Sequence, residues 1–171
     1  MGSGVLSDRR RAPPQPDRRA PHFASHRIRS ADRHETMMTR YAFKVGKQYK
    51  RSQIKEAIGL SPTAKGGPWD TGYAERNGAD FIFCNVGTPG RTGHDYDNHF
   101  DGSDLIWRGK TNSHKGQPTI QRMTGPSAEV HVFWRADERD PFTYAGLGKA
   151  VDVSEESPVR VRWRFQGVDD A

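Results

Sequence analysis

Two polar loops carry most of the side chains whose types and spacing could do chemistry. The first, GTPGRTGHDYDNHFDGS from Gly87, sets His94, Asp95, Asp97, Asn98 and His99 within six residues. Imidazoles and carboxylates this close are the raw material of metal-assisted hydrolysis, in which a histidine serves as general base. The second, GKTNSHKGQPTIQ from Gly109, suits anion binding instead. Lys110 and Lys115 supply charge. Thr111, Asn112, Ser113, His114 and Gln117 supply short hydrogen-bonding groups, while Gly109 and Gly116 let backbone approach a ligand closely. Phosphate oxygens are commonly held by this mixture. Arg91, His94 and Tyr96 extend the same surface from the first loop.

The hydrolytic reading meets contrary signs. HNH-type nuclease chemistry needs a hairpin and a helix that carries the last metal ligand, and this interval is rich in helix breakers. Arg108 occupies the position two residues before Lys110 where a nuclease carboxylate would stand. No Ser-His-Asp order, phosphate-binding glycine loop or Cys/His zinc spacing is present. Asp95, Asp97 and Asn98 then read as turn formers and caps. No catalytic residue, metal ligand or cofactor site is assigned. The second loop has its own plain alternative, a solvated connection.

Aromatic residues divide the same way. Trp69 and Tyr73 lie in or beside polar loops and are candidates for stacking on exposed bases, worth about 1–3 kcal/mol each. Trp69, like Phe100, also suits plugging the end of a barrel. Trp107, Phe133, Trp134, Tyr144 and Trp163 lie on strands and read as core. Arg160, Arg162 and Arg164 form a stripe, read as a solvated strand face or as a track along a phosphate backbone.

The elements that must position these groups are mostly strands. YAFKVGKQYK alternates as a first strand; Ser52 is placed to cap a short helix, QIKEAI, which Gly59 ends. TGYAER and ADFIFCNV flank Asn77-Gly78, a strong hairpin signal because both residues tolerate positive φ. DLIWRGKT follows, then a short helix in PTIQRM and three more strands in EVHVFWRA, FTYAGLGKAVDV and PVRVRWRF. The last alternates cleanly, with Val159, Val161, Trp163 and Phe165 opposite the arginines. About seven strands and one or two short helices cannot cover both sides of an open sheet. The expectation is a mostly β (α+β) fold, a curled sheet or partly open barrel.

At 171 residues, 33% hydrophobic and 28% charged, the chain suits one domain with tails. It has no apolar run of about 18 residues, so no membrane helix is expected. Cys84, the one cysteine, gives no disulfide framework, and the plain reading is cytoplasmic. The charge of +6 is uneven: residues 1–40 hold nine arginines against four acidic residues, leaving 18 basic against 17 acidic beyond them. A high pI alone is therefore weak support for a nucleic-acid-binding domain. Residues 1–40 read as a disordered basic arm or a mis-assigned start ahead of Met37 or Met38, and 41–171 as the domain.

The motif order GGPWDTGY, FIFCNVG, HDYDNHF, IWRGKTNSHKGQPTIQ, VHVFWR and PFTYAGLGKAVDV resembles the β-rich recognition domains of bacterial defence proteins. It is similar to the domain that follows the motor of some superfamily-II helicases, and to the specificity domains of McrA-type HNH restriction endonucleases. It resembles SRA-like domains more faintly, and their literal signature is absent. The resemblance spans Tyr41 to about Phe165. It implies an SRA/PUA-like or related fold that binds double-stranded DNA, with modified-base sensing, beside a separate nuclease or helicase. The alternatives are a stand-alone HNH-like nuclease and a small-molecule-binding β-barrel.

Overall fold

A computed structural model of the chain describes residues 41–87 and 97–167. Its elements are β1 (Gln48–Tyr49), α1 (Arg51–Ala57), a 3-10 turn (Pro68–Asp70), β2 (Tyr73–Arg76), β3 (Ala79–Asn85), β4 (His99–Asp101), β5 (Asp104–Arg108), α2 (Pro118–Met123), β6 (Glu129–Arg135), β7 (Phe142–Val153) and β8 (Arg160–Phe165). The sheet runs β2-β3-β6-β7-β8-β5-β4, with β1 attached to β7. It is mostly β, mixed and unclosed, as the strand pattern led one to expect.

All the pairings are antiparallel except β3 with β6. Parallel neighbours require a long crossover. Here that crossover contains the β4–β5 hairpin, α2 and the two polar loops. The second loop thus lies between β5 and α2 within that connection.

Strand β7 joins two halves. Its first part pairs with β6 and its later part with β8, with register shifts on both sides. Such irregularities increase local twist and bend a strand. Gly148 sits where the halves meet, and a Cβ there would lie 3.1 Å from both the Trp163 ring and Val132. A side chain there would require the Trp163 ring or Val132 to give way by a few tenths of an ångström.

Both faces of β3 are covered, which explains its unbroken apolar text FIFC. Ile82 and Cys84 join Leu105, Trp107, Val132, Trp163 and α2's Ile120 and Met123 in one core. Phe81 and Phe83 join Phe133, Phe142, Tyr144 and α1's Ile54 and Ile58 in the other. Burial pushes the Cys84 thiol up to about 12, so it packs as an unreactive apolar group. Helix α2 is tied to β3 by Arg122, whose Nε and one terminal nitrogen donate to buried Asp80 at 3.1 and 2.7 Å.

Three local expectations are corrected. The first strand shrinks to Gln48–Tyr49 because a turn interrupts it, with Gly46 at φ 81 and Lys47 N–H donating to the Lys44 carbonyl. Tyr41 and Phe43 alternate as strand residues would, but they pack on the second core without a ladder. Helix α1 starts at Arg51, ahead of Ser52; its N-cap is Lys50, whose N–H is accepted by Gln53 Oε1 at 2.7 Å. The third is β4, a strand within what the sequence presents as loop.

Candidate functional site

The second loop is held rigidly from beneath. Gly109 N–H donates to the Val159 carbonyl at 2.9 Å, and a Cβ on Gly109 would fall 2.4 Å from Ser113 Oγ. Ser113 is only 2% exposed. Its hydroxyl and carbonyl oxygens both accept the Val159 N–H, at 3.2 and 3.1 Å, and its own N–H donates to the Lys110 carbonyl. Asn112 completes the turn at φ 64. Ser113 is thus an internal fastener, correcting its nomination as a ligand contact. Thr111, Asn112, His114 and Lys115 face outward, while half-buried Gln117 precedes Pro118 at the start of α2.

Lys110 is held differently. Its Nζ lies 4.2 Å from the Tyr73 ring centroid and donates to the Tyr73 carbonyl at 3.3 Å. Burial lowers its pKa. Tyr73 rests edge-on against Trp107, centroids 5.5 Å apart. Trp69 packs on Phe81 and Phe83 at the edge of the second core. Lys115 makes an exposed ion pair with Glu155 at 2.9 Å, a contact that solvent screens strongly.

Arg91, His94 and Tyr96 lie outside the described residues. Beside them, Asn98 is 8% exposed and ties two strand ends together. Its Nδ2 donates to the Asn85 carbonyl at 3.1 Å, and its Oδ1 accepts the Arg108 N–H at 2.8 Å. Asn98 therefore links the ends of β3 and β5, where the sequence suggested a turn former or cap. His99 is exposed, with Nδ1 2.8 Å from the Asp97 carbonyl. No cluster of three His, Cys, Asp or Glu with metal-binding geometry occurs among the described residues. No helix there is long and apolar enough to cross a membrane.

The arginine stripe on β8 faces carboxylates. Arg162 bonds Asp104 at 2.9 Å and also Asp101, and Arg164 donates to Asp104 at 3.0 and 3.1 Å. These bonds, led by Arg164, hold the Asp104 carboxyl below the usual range. Arg160 stands 4.0 Å from Asp152, and Arg108 donates to Glu156 at 2.5 Å. A cleft of about 260 Å³ on this face is lined by Asp97, Asp101, Asp152, Arg108, Arg160 and Arg162 among others. Its opposite charges largely cancel.

Two arrangements were not evident from sequence. One is a buried chain, Glu129–His131–Tyr144. His131 Nε2 lies 2.9 Å from Glu129 Oε1, and Nδ1 lies 2.8 Å from the Tyr144 hydroxyl. Burial lowers the His131 pKa despite Glu129. A neutral ring with its proton on Nε2 satisfies both partners. With His131 fully buried, the chain is a satisfied part of the core. The strand alternation E-V-H-V-F, which puts His131 on Phe133's face, was the available signal.

The other arrangement is a pair of arginines at Phe142. The Arg51 and Arg135 guanidinium carbons lie 4.9 and 4.3 Å from its ring centroid, and Arg51 also lies 4.5 Å from that of Phe83. One sits in α1 and the other ends β6, so no sequence spacing links them.

No protein-family model and no curated protein matches the chain.

Proposed function

We propose that the chain is a double-stranded DNA-binding module of a bacterial restriction or defence system, with base modification among the features it reads. The observation that carries this reading is the fastened turn of residues 109–115. A rigid backbone presents Thr111, Asn112, His114 and Lys115 to solvent, beside a lysine held over an aromatic ring. Lysine charge with short polar groups on an ordered loop suits phosphate, sugar and base edges together. The motif resemblance of residues 41–165 points the same way. In this reading Lys110 and Lys115 meet phosphates, and Asn112, His114 and Gln117 approach sugar or base edges.

The test is a mobility shift of labelled duplex without metal, using unmodified and cytosine-modified strands. A shifted duplex that stays intact after Mg²⁺ or Mn²⁺ is added supports the reading. Cleavage would replace it with a nuclease, and the absence of any shift in low salt would remove it.

A further inference from the structure

We propose that Arg51 and Arg135 form a second anion site, which takes a phosphate-type oxyanion on the guanidiniums held at Phe142. Its assignment to a phosphate of duplex DNA rests on the reading above; its chemistry does not.

Two guanidiniums at one aromatic ring repel each other. Burial is the main cause that lowers Arg51 to about 10, and the charge of Arg135 is the next. Burial also lowers Arg135. Among the described residues, half-buried Arg108 and Arg162 meet the carboxylates of Glu156 and Asp104, while half-buried Arg76 meets the Ile58 and Gly59 carbonyls. Among the described residues neither Arg51 nor Arg135 has a carboxylate in ion-pair contact. Asp70 is near Arg51, but its oxygens accept from Lys55 Nζ at 2.8 Å and from the Gly66 N–H. Asp137 accepts the Arg139 N–H at 2.9 Å. Glu138, Asp137 and Asp140 act on Arg135 through space, without ion-pair contact.

Hydrogen-bonding capacity leads to the same place. A guanidinium has five N–H donors. Arg51 uses one terminal nitrogen, toward the carbonyls of Trp69 and Thr71 at 2.6 and 3.4 Å. Arg135 uses Nε, which donates to Asn85 Oδ1 at 2.8 Å. The two terminal nitrogens of Arg135 have no partner among the described residues, and they form the planar fork that grips an oxyanion with two parallel bonds. Stacking on Phe142 and the bond to Asn85 fix the fork's orientation beforehand. An incoming anion would relieve the mutual repulsion and satisfy the remaining donors.

Arg51 grips the segment Trp69–Thr71, which leads directly into Tyr73, the ring beneath Lys110.

The experiment uses the full chain, as wild type, Arg135→Gln and Arg135→Lys, each with a melting curve. Anisotropy of a labelled duplex is followed against salt, and inorganic phosphate is titrated separately while melting is recorded. Arg135→Gln should keep its fold, lose about one from the slope of log affinity against log salt, and lose the stabilisation that phosphate gives the wild type. Arg135→Lys should keep the slope and bind both ligands more weakly, having charge without the fork. If the wild type binds duplex while a folded Arg135→Gln binds with unchanged affinity and slope, the site is overturned and the DNA reading stands. If no duplex binds but phosphate stabilises the wild type through Arg135, the DNA reading falls and the site stands for a free oxyanion. Should Arg135→Gln fail to fold, Arg135→Lys decides: unchanged affinity for both ligands refutes the site.

Discussion

The arginines of β8 and the arginines at Phe142 share a residue type and differ in what surrounds them. Arg160, Arg162 and Arg164 project in sequence register from one strand face, and Asp101, Asp104 and Asp152 face them. Arg51 and Arg135 come from separate elements and share a ring and each other's repulsion, without a carboxylate in contact among the described residues. Periodicity marks a positive stripe; only the partner strands reveal whether its charge is available. The stripe is a structural network. At Phe142 the two guanidinium charges are less fully compensated, as neither has a carboxylate in contact among the described residues.

The largest effect that would sharpen this contrast belongs to Asp104. It is buried at 5% exposure beneath Arg162 and Arg164. Asp104→Asn weakens two charge-assisted hydrogen-bonding sets and should destabilise the fold by about 2 kcal/mol. Thermal or urea melting reads this directly. An unchanged melting curve would mean that the stripe is merely a solvated surface.

That prediction depends on a feature the sequence did not display. The clean alternation of β8 and the Asn77-Gly78 hairpin were legible, and both residues of the turn adopt positive φ, 52° and 83°. Each signal depends on neighbours along the chain. Strand β4 was hidden because three polar-flanked residues, His99–Asp101, carry no alternation long enough to see. The site was legible in the same local sense. Its outward residues, Thr111, Asn112, His114 and Lys115, lie where loop composition placed them. Ser113 did not, because its burial comes from Val159, which arrives from the far end of the domain. Arg51 and Arg135 meet only because α1 and the parallel β3–β6 pair converge on Phe142.

Acid should separate two contributions. Asp104 has its folded pKa lowered, so its stabilisation is complete above the unfolded value near 3.8 and is lost as pH falls through the folded value. His131 also has a lowered folded pKa, because burial disfavours its charge. Below its ordinary value of 6.5 the unfolded chain binds the proton more readily, so stability falls from about pH 6.5 downward. Melting temperatures across pH 7 to 3 should therefore decline in two stages, and Asp104→Asn should flatten the second. A decline confined to pH below 4 would contradict the assignment of His131 as a neutral core residue.

The smallest effect concerns Lys115. Its pair with Glu155 is exposed on both sides, so Lys115→Ala should change stability by less than about 0.5 kcal/mol. If the proposed interface is right, the same change still weakens duplex binding. A variant that melts markedly earlier would show that the pair helps to fasten the loop.

The most direct measurement places the two regions side by side in one duplex titration across salt. The proteins are the wild type, Lys110/His114/Lys115→Ala and Arg160→Ala, each with its melting curve. The triple variant should keep its fold and lose about two from the salt slope, one for each lysine–phosphate contact. Arg160→Ala, whose charge already faces Asp152, should bind as the wild type does. A triple variant with unchanged affinity and slope, or a loss that appears only in Arg160→Ala, would contradict the account and move the interface to the β8 face.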